Sequence, residues 1–411
     1  MVVSRRGRPC FVESFGLLDE LGGKPMSPDA VFNVASMTKT VTAVVAMTLI
    51  EEGKFGLDDP VSKWFPSLAK EKLRVAGPAG TTVACERDML VRQLLNHTSG
   101  LTYGFMFQRP EGDPMAQADE TCLDFGVTPM KPEDFAKCVL AFQPGTRFRY
   151  SCASHLLARV LEAASGVPLD ELFRRRVFAP LGMSRTAFNV GGQDMPLLAK
   201  PQVATAKRVE GKTKFPQLLA VNFERDRGAS GPGQLSPFPG PPGRSAVVGD
   251  GGLHSTPEDW HRLMEMLLSR GRGLMAEETF NTMVAPATPD LEDPFFNTNA
   301  TDRPGSGGQL LCGAGSPLGQ GGLAHSLLGE VAVGPNVLGM RPGAFGWEGL
   351  LSTKYVVDPK EELSLSLWAN VAPCWRYALK QEVLPLVYRA LRPPSVPHAA
   401  CWREPPRLAK L

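Results

Sequence analysis

The longest uninterrupted apolar signal runs from Ser36 to about Glu52, SMTKTVTAVVAMTLIEE, and it is apolar on most helical faces rather than along one stripe. A helix surrounded by protein has that pattern, and Gly53 supplies its stop. Its most apolar part, Val41 to Ile50, is far short of the ~18 to 20 residues that a membrane span requires. Ahead of it, residues 1 to 16 read as two short strands about the turn Arg6-Gly7-Arg8. A second helix is predicted from Ala153 to Ser165, with Leu156, Leu157, Val160, Leu161 and Ala164 on one stripe, Gly166 as stop and Tyr150 just before it. A third follows GDGGLHST, with Thr256 as N-cap and Pro257 at the first helical position. LLSTKYVVDPKEELSLSLWAN alternates like a hairpin that turns at Asp358-Pro359, and a helix from about Trp375 to Leu391 follows.

These elements predict an α+β fold, with strands at both ends of the chain. From about 57 to 200, short helical patterns alternate with Pro/Gly turns and strand signal is sparse. Residues 1–56 and 246–392 are therefore expected to form one discontinuous sheet lobe and 57–227 a mostly helical lobe. Residues 228–245 read as a Gly/Pro-rich loop and 393–411 as a tail.

At 411 residues, with 43% hydrophobic and 21% charged residues, the chain can bury a sizeable core. A formal charge of +2 without a basic block leaves no footprint for nucleic acid. The N-terminus has arginines but no apolar stretch behind them, so a cytoplasmic protein is expected, with no membrane partner. Its eight cysteines include no CxxC pair, which fits reduced thiols better than a disulfide framework. Cys152 and His155 form a lone CxxH, too little for a metal site. No metal and no cofactor are expected.

The chemistry points to Ser36-Met37-Thr38-Lys39, an S-x-x-K tetrad at the head of the buried helix. One turn brings the amine close to the hydroxyl, and a desolvated lysine is a base able to activate an alcohol. The tetrad alone is common. Ser67-Lys70 is another, in a turn-like surface stretch; context favours Ser36. The chain has neither G-x-S-x-G nor HExxH, which argues against an α/β-hydrolase elbow and a zinc protease. His97 and His254 are expected to be structural.

Further segments complete a resemblance: LLNHTSGL at 94–101, PGTRFRYS ending in Tyr150 and Ser151, PLGMSRTAF at 180–188, GDGGLHSTPEDW at 249–260, and FGWEG followed by VVDP at 345–358. In this order, over about residues 10 to 390, the chain resembles the serine β-lactamase and penicillin-binding-protein-like superfamily. It is most similar to the family VIII carboxylesterases, which are related to class C β-lactamases. The resemblance implies a mainly antiparallel sheet flanked by helices with an inserted helical lobe, and the pocket at their junction. It implies Ser36 as acylated nucleophile, Lys39 and Tyr150 sharing acid and base work, and an oxyanion hole from the backbone N–H groups of Ser36 and Leu350. Cys152, Trp347, Glu348 and Gly349 would meet the substrate.

Two departures bear on that substrate. Tyr150-Ser151-Cys152 replaces a Tyr-x-Asn motif, and a thiol lacks the amide's two donors and acceptor. Trp347-Glu348-Gly349 replaces a Lys-Thr-Gly-type strand that receives a carboxylate, and a pocket-facing Glu348 would repel an anion. The expected activity is hydrolysis of a small neutral or cationic ester. Acyl transfer, weak β-lactamase or D-alanyl peptidase activity on the same site, and a non-catalytic scaffold, are the alternatives. Members of the family also place a helix before the first strand; here the strand opens the sequence, so either residues precede Met1 or a sheet face is partly uncovered.

Overall fold

The computed structural model describes residues 1–19, 22–103, 118, 121, 130–205, 217–220, 243–288, 322–336, 338–372 and 379–391. Seven strands build its main sheet: β1 (Val2–Arg5), β2 (Arg8–Val12), β3 (Leu323–His325), β4 (Glu330–Ala332), β5 (Phe345–Glu348), β6 (Lys354–Asp358) and β7 (Leu363–Leu367). Their order is β3-β4-β5-β6-β7-β1-β2, antiparallel throughout. Strand β1 thus lies between two partners from opposite ends of the chain, pairing Val2 with Ser366 and with Val12. Arg6 and Gly7 turn the first hairpin with φ of 54° and 69°, the paired left-handed geometry that suits the twist of adjacent strands. At the second hairpin, Asp358 Oδ1 accepts from the N–H groups of Lys360 and Glu361 at 3.0 and 3.1 Å.

Period-2 alternation divides the sheet into two faces. Val331, Phe345, Trp347, Tyr355 and Val357 share the large core with the central helix α1 (Thr38–Glu51), which is buried from Thr38 to Leu49. Helices α2 (Ala153–Ser165) and α3 (Pro257–Leu268) join the same core. Thr256 caps α3 by accepting from the Asp259 N–H at 3.1 Å. On the other face Val3, Ala332, Val356, Leu363, Leu365 and Leu367 pack against Leu384 and Tyr388 of α4 (Leu379–Ala390). Among the described residues no helix is long and apolar enough to cross a membrane.

The region after α1 is richer in strands than its composition suggests. Arg74–Ala76 pairs antiparallel with Thr82–Ala84 and parallel with Val139–Leu140, while Gln202–Thr205 pairs with Gln217–Ala220 and with Val371–Ala372. Strands of two to four residues give too few alternations to register in sequence. Most of the 228–245 loop and the whole 393–411 tail lie outside the described residues.

Candidate active site

The chain turns sharply just before Ser36. Ala35 has a φ of 44°, a conformation that side-chain-bearing residues adopt at a cost of order 1–3 kcal/mol, and its N–H donates to Asn33 Oδ1 at 2.8 Å. Ser36 therefore sits in a single 3₁₀ turn, Ala35–Met37, and the α-helical geometry of α1 begins two residues later than the apolar pattern predicts. A two-residue ladder between Phe32–Asn33 and His254–Ser255, with Val34 N–H donating to Leu253 O at 2.9 Å, ties this turn to the segment 249–255. Gly249 is obligatory there, because a Cβ would stand 2.3 Å from Ser154 O on α2.

Those constraints bring four groups to the Lys39 amine. Nζ donates to Asp250 O at 2.7 Å, to Tyr103 Oη at 3.0 Å and, in a longer contact, to Ser36 Oγ at 3.4 Å. It also lies 5.0 Å from the centre of the Tyr150 ring. Lys39 is only 5% exposed, and burial lowers its pKa to about 8 against the opposing pull of Asp250 and Cys152. The tetrad thus sets a hydroxyl beside an amine that is partly neutral near physiological pH.

Tyr103 was not singled out by the sequence, and it supplies the hydroxyl that Lys39 contacts. Its Oη–H donates in turn to Asp250 Oδ2 at 2.6 Å. Burial, with the Asp250 charge adding, pushes this phenol well above its ordinary pKa, so it stays protonated. Tyr150 meets Lys39 through its ring and packs, tilted, with ring centres 5.4 Å from Tyr103 and 5.5 Å from Trp347.

Behind Tyr150 lies an aromatic wall of His97, Phe148, His325 and Trp347, with His97 4.8 Å from Tyr150 and 5.1 Å from His325 between ring centres. Burial holds the His97 imidazole well below 6.5 and lowers His325 to about 4, so both are neutral rings at working pH. His97 shares a hydrogen bond with Ser151 Oγ at 3.2 Å, in keeping with a structural role. His254 is also neutral, lowered to about 4 by burial. A cavity of about 10 Å³, room for one water, is lined by Lys39, His97, Ser154, His325 and Trp347 among others.

At the end of β5, Gly349 lies against the turn that holds Ser36: a Cβ there would stand 2.4 Å from Val34 O. Leu350 follows in the turn closed by Gly349 N–H donating to Thr353 O at 2.8 Å, rather than on the strand itself. Neither the Ser36 nor the Leu350 N–H donates to a backbone acceptor among the described residues.

Glu348 corrects one expectation. Trp347 faces the site side of the sheet, so its neighbour on β5 faces the other side. There Glu348 pairs with Lys380 of α4, and it lies across the ladder from Lys354, which is itself paired with Glu330. Burial pushes the Glu348 pKa up, but the two lysines outweigh it and hold the carboxylate below its usual range. It is a neutralised charge under α4, not a screen against anionic substrates.

Cys152 is fully buried at the N-cap of α2, close enough to Lys39 to bear on its charge. Its partner in the CxxH pair turns elsewhere: His155 Nε2 accepts from the Met130 N–H at 3.2 Å, and Nδ1 lies 3.8 Å from Asp250 Oδ1. Tyr103 and Asp250 are the residues that sequence reasoning missed, although Tyr103 lies two residues beyond the quoted LLNHTSGL and Asp250 lies within GDGGLH.

The β-lactamase family model matches residues 1–379. The uncharacterized protein MT1414 of Mycobacterium tuberculosis (strain CDC 1551 / Oshkosh) is 31% identical over 374 residues, covering 89% of this chain and 83% of that protein. Esterase EstB of Burkholderia gladioli is 32% identical over 193 residues, 46% of each chain. Among solved structures, EstCE1, a hydrolase with promiscuous acyltransferase activity, has a TM-score of 0.64 at 24% identity, covering 94% of this chain and 92% of that one. Unliganded selenomethionyl simvastatin synthase LovD from Aspergillus terreus has a TM-score of 0.70 at 19% identity, covering 95% and 92%. Both share this fold.

Proposed function

Because the chain belongs to the β-lactamase family, we propose that it is an acyl-transferring serine enzyme of the esterase kind, which takes the acyl group of a small, neutral carboxylic ester onto Ser36 and passes it to water. The observation that carries this reading is the buried Lys39 amine held against Ser36 Oγ at 3.4 Å, with a pKa lowered to about 8. A purely structural lysine at this depth would be paired with a carboxylate, whereas this one meets a carbonyl, a phenol and an alcohol.

In the acylation step Ser36 Oγ forms a bond to the ester carbonyl carbon while its proton passes to Lys39 Nζ. The carbonyl oxygen takes up the negative charge facing the N–H groups of Ser36 and Leu350. Collapse of that intermediate breaks the bond to the alcohol oxygen, which leaves with a proton delivered from Lys39 through the Lys39–Tyr150 neighbourhood. Water then repeats the sequence on the acyl-enzyme, and the carboxylic acid departs.

Preference for an ester over a β-lactam rests on Cys152, a buried thiol where an amide would contact an acyl-amide side chain, and on the indole of Trp347 in place of a cationic strand. Glu348 gives it no support. A second reading, transfer of the acyl group to another alcohol, uses the same residues; the name and title of relatives such as the methylbutanoyltransferase of Penicillium citrinum and EstCE1 favour it. The test is hydrolysis of p-nitrophenyl acetate and butyrate by the protein and by Ser36→Ala. Loss of turnover in the variant, with a fluorophosphonate adduct mapped to Ser36 in the parent, is expected. A folded parent with neither turnover nor adduct would return the chain to the scaffold alternative.

A further inference from the structure

A neutral primary amine carries two hydrogens and one lone pair, and only the lone pair can take the Ser36 proton. Which of its neighbours faces the lone pair is therefore decisive. Asp250 O is a carbonyl and has no hydrogen to give; it must receive one N–H, at 2.7 Å. Tyr103 Oη could either give or receive, but its hydrogen is already committed to Asp250 Oδ2 at 2.6 Å, so it receives the second N–H, at 3.0 Å. The remaining direction belongs to Ser36 Oγ at 3.4 Å.

We propose that Asp250 is a positioning residue for the nucleophile: its carbonyl and, through Tyr103, its carboxylate each claim one hydrogen of the neutral Lys39 amine, leaving the lone pair aimed at the Ser36 hydroxyl. The proposal rests on the acyl-transfer reading above and assigns the base of the pair to Lys39. Near the other carboxylate oxygen, Oδ1, His155 Nδ1 stands at 3.8 Å, beyond hydrogen-bond reach, while His155 Nε2 accepts from the Met130 N–H at 3.2 Å.

This arrangement predicts an unusual response to Asp250→Asn. An amide at this position can present its NH₂ group to Tyr103 Oη, which a carboxylate cannot. Tyr103 Oη must then accept from the amide and turn its own hydrogen to Lys39, where it captures the lone pair that Ser36 needs. Removing the hydroxyl, in Tyr103→Phe, eliminates that capture but also the acceptor that orients the amine.

The experiment is the rate of Ser36 labelling by a fluorophosphonate in the full chain, Asp250→Asn, Tyr103→Phe and the double variant, each first shown to be folded by circular dichroism. At about pH 9.5, where the lysine is neutral in all four, each single variant is expected to label roughly 100-fold more slowly. The double variant should be within about threefold of Tyr103→Phe, since Asp250 acts through that hydroxyl. Asp250→Asn should also move the acid limb of the pH–rate profile to lower pH, because its charge raises the Lys39 pKa, whereas a merely structural loss leaves the limb in place. The other titratable groups facing the amine, Tyr103, Tyr150, Cys152, His97 and His325, are unchanged in that variant.

Single variants that label like the parent, or losses that multiply in the double variant, overturn the assignment while leaving Ser36 as nucleophile. A folded parent that does not label at Ser36 overturns both. Should Asp250→Asn fail to fold, Tyr103→Phe decides alone: an unchanged plateau rate refutes the orienting role.

Discussion

Replacing Glu348 by Gln separates two places for one carboxylate. Had Glu348 faced the substrate, a unit charge roughly 6 Å from an anionic ester would cost about 2.8 kcal/mol at an effective dielectric of about 20, so Gln would raise kcat/KM for that ester about 100-fold over a neutral one. The carboxylate instead pairs with Lys380, which is 7% exposed, beneath α4. Removing it takes the carboxylate from a buried ammonium. Such losses reach about 3–5 kcal/mol when both groups are fully buried; Glu348, whose side chain is 23% exposed, should give about 2 kcal/mol. That is roughly a 30-fold shift in the unfolding equilibrium, read from equilibrium urea denaturation of the parent and Glu348→Gln. Paired rates on an anionic and a neutral p-nitrophenyl ester should keep their ratio within about threefold. A ratio that moves tenfold or more with stability unchanged would place the carboxylate in the pocket and refute the two-face assignment of β5.

With Lys39 lowered to about 8, about a tenth of the amine is neutral at pH 7 and half at pH 8; Ser36 labelling should rise with unit slope below about pH 8 and level off above it. A flat profile from about pH 6 to 9 rules lysine out as the base. Lys39→Met should slow labelling at least 100-fold at every pH, and a residual rate still titrating near 8 would assign that titration to another group. Gly349→Ala puts a methyl group 2.4 Å from Val34 O and 2.3 Å from Thr353 Oγ1, displacing the Leu350 N–H, and should cost about tenfold or more in kcat with a smaller effect on KM; the reverse split argues against an oxyanion contact. Thr256→Ala removes the cap of α3 and should lower stability by about 1 kcal/mol, seen as a lower urea midpoint at unchanged slope.

Local geometry explains which parts of this site were legible in the sequence. Ser36 and Lys39 are one helical turn apart, and the all-round apolar run declared that the helix would be buried, so a hydroxyl beside a desolvated amine followed from spacing and context together. Tyr103 and Asp250 reach the same amine from 64 and 211 residues away. Their convergence depends on the close approach at Gly249 and the left-handed Ala35, which no periodicity encodes. The Glu348 error was avoidable: strand parity sends adjacent residues to opposite faces, so a site-facing Trp347 already excluded its neighbour. The short strands at 74–76, 82–84 and 139–140 were invisible for a different reason, each being shorter than the run of about four residues over which alternation first becomes readable.

The placement of β1 has a consequence for how the protein is made. Val2–Arg5 finds one neighbour at once in Arg8–Val12, but its other is Leu363–Leu367. At about 5–20 residues per second, the ribosome needs roughly 20 to 70 seconds to deliver that partner. For most of that interval the apolar helix behind Ser36 lacks β3 to β7, the first of which begins only at Leu323. Ser36 and its helix are thus made well before most of the sheet that covers them, and the apolar face of that helix waits for its cover.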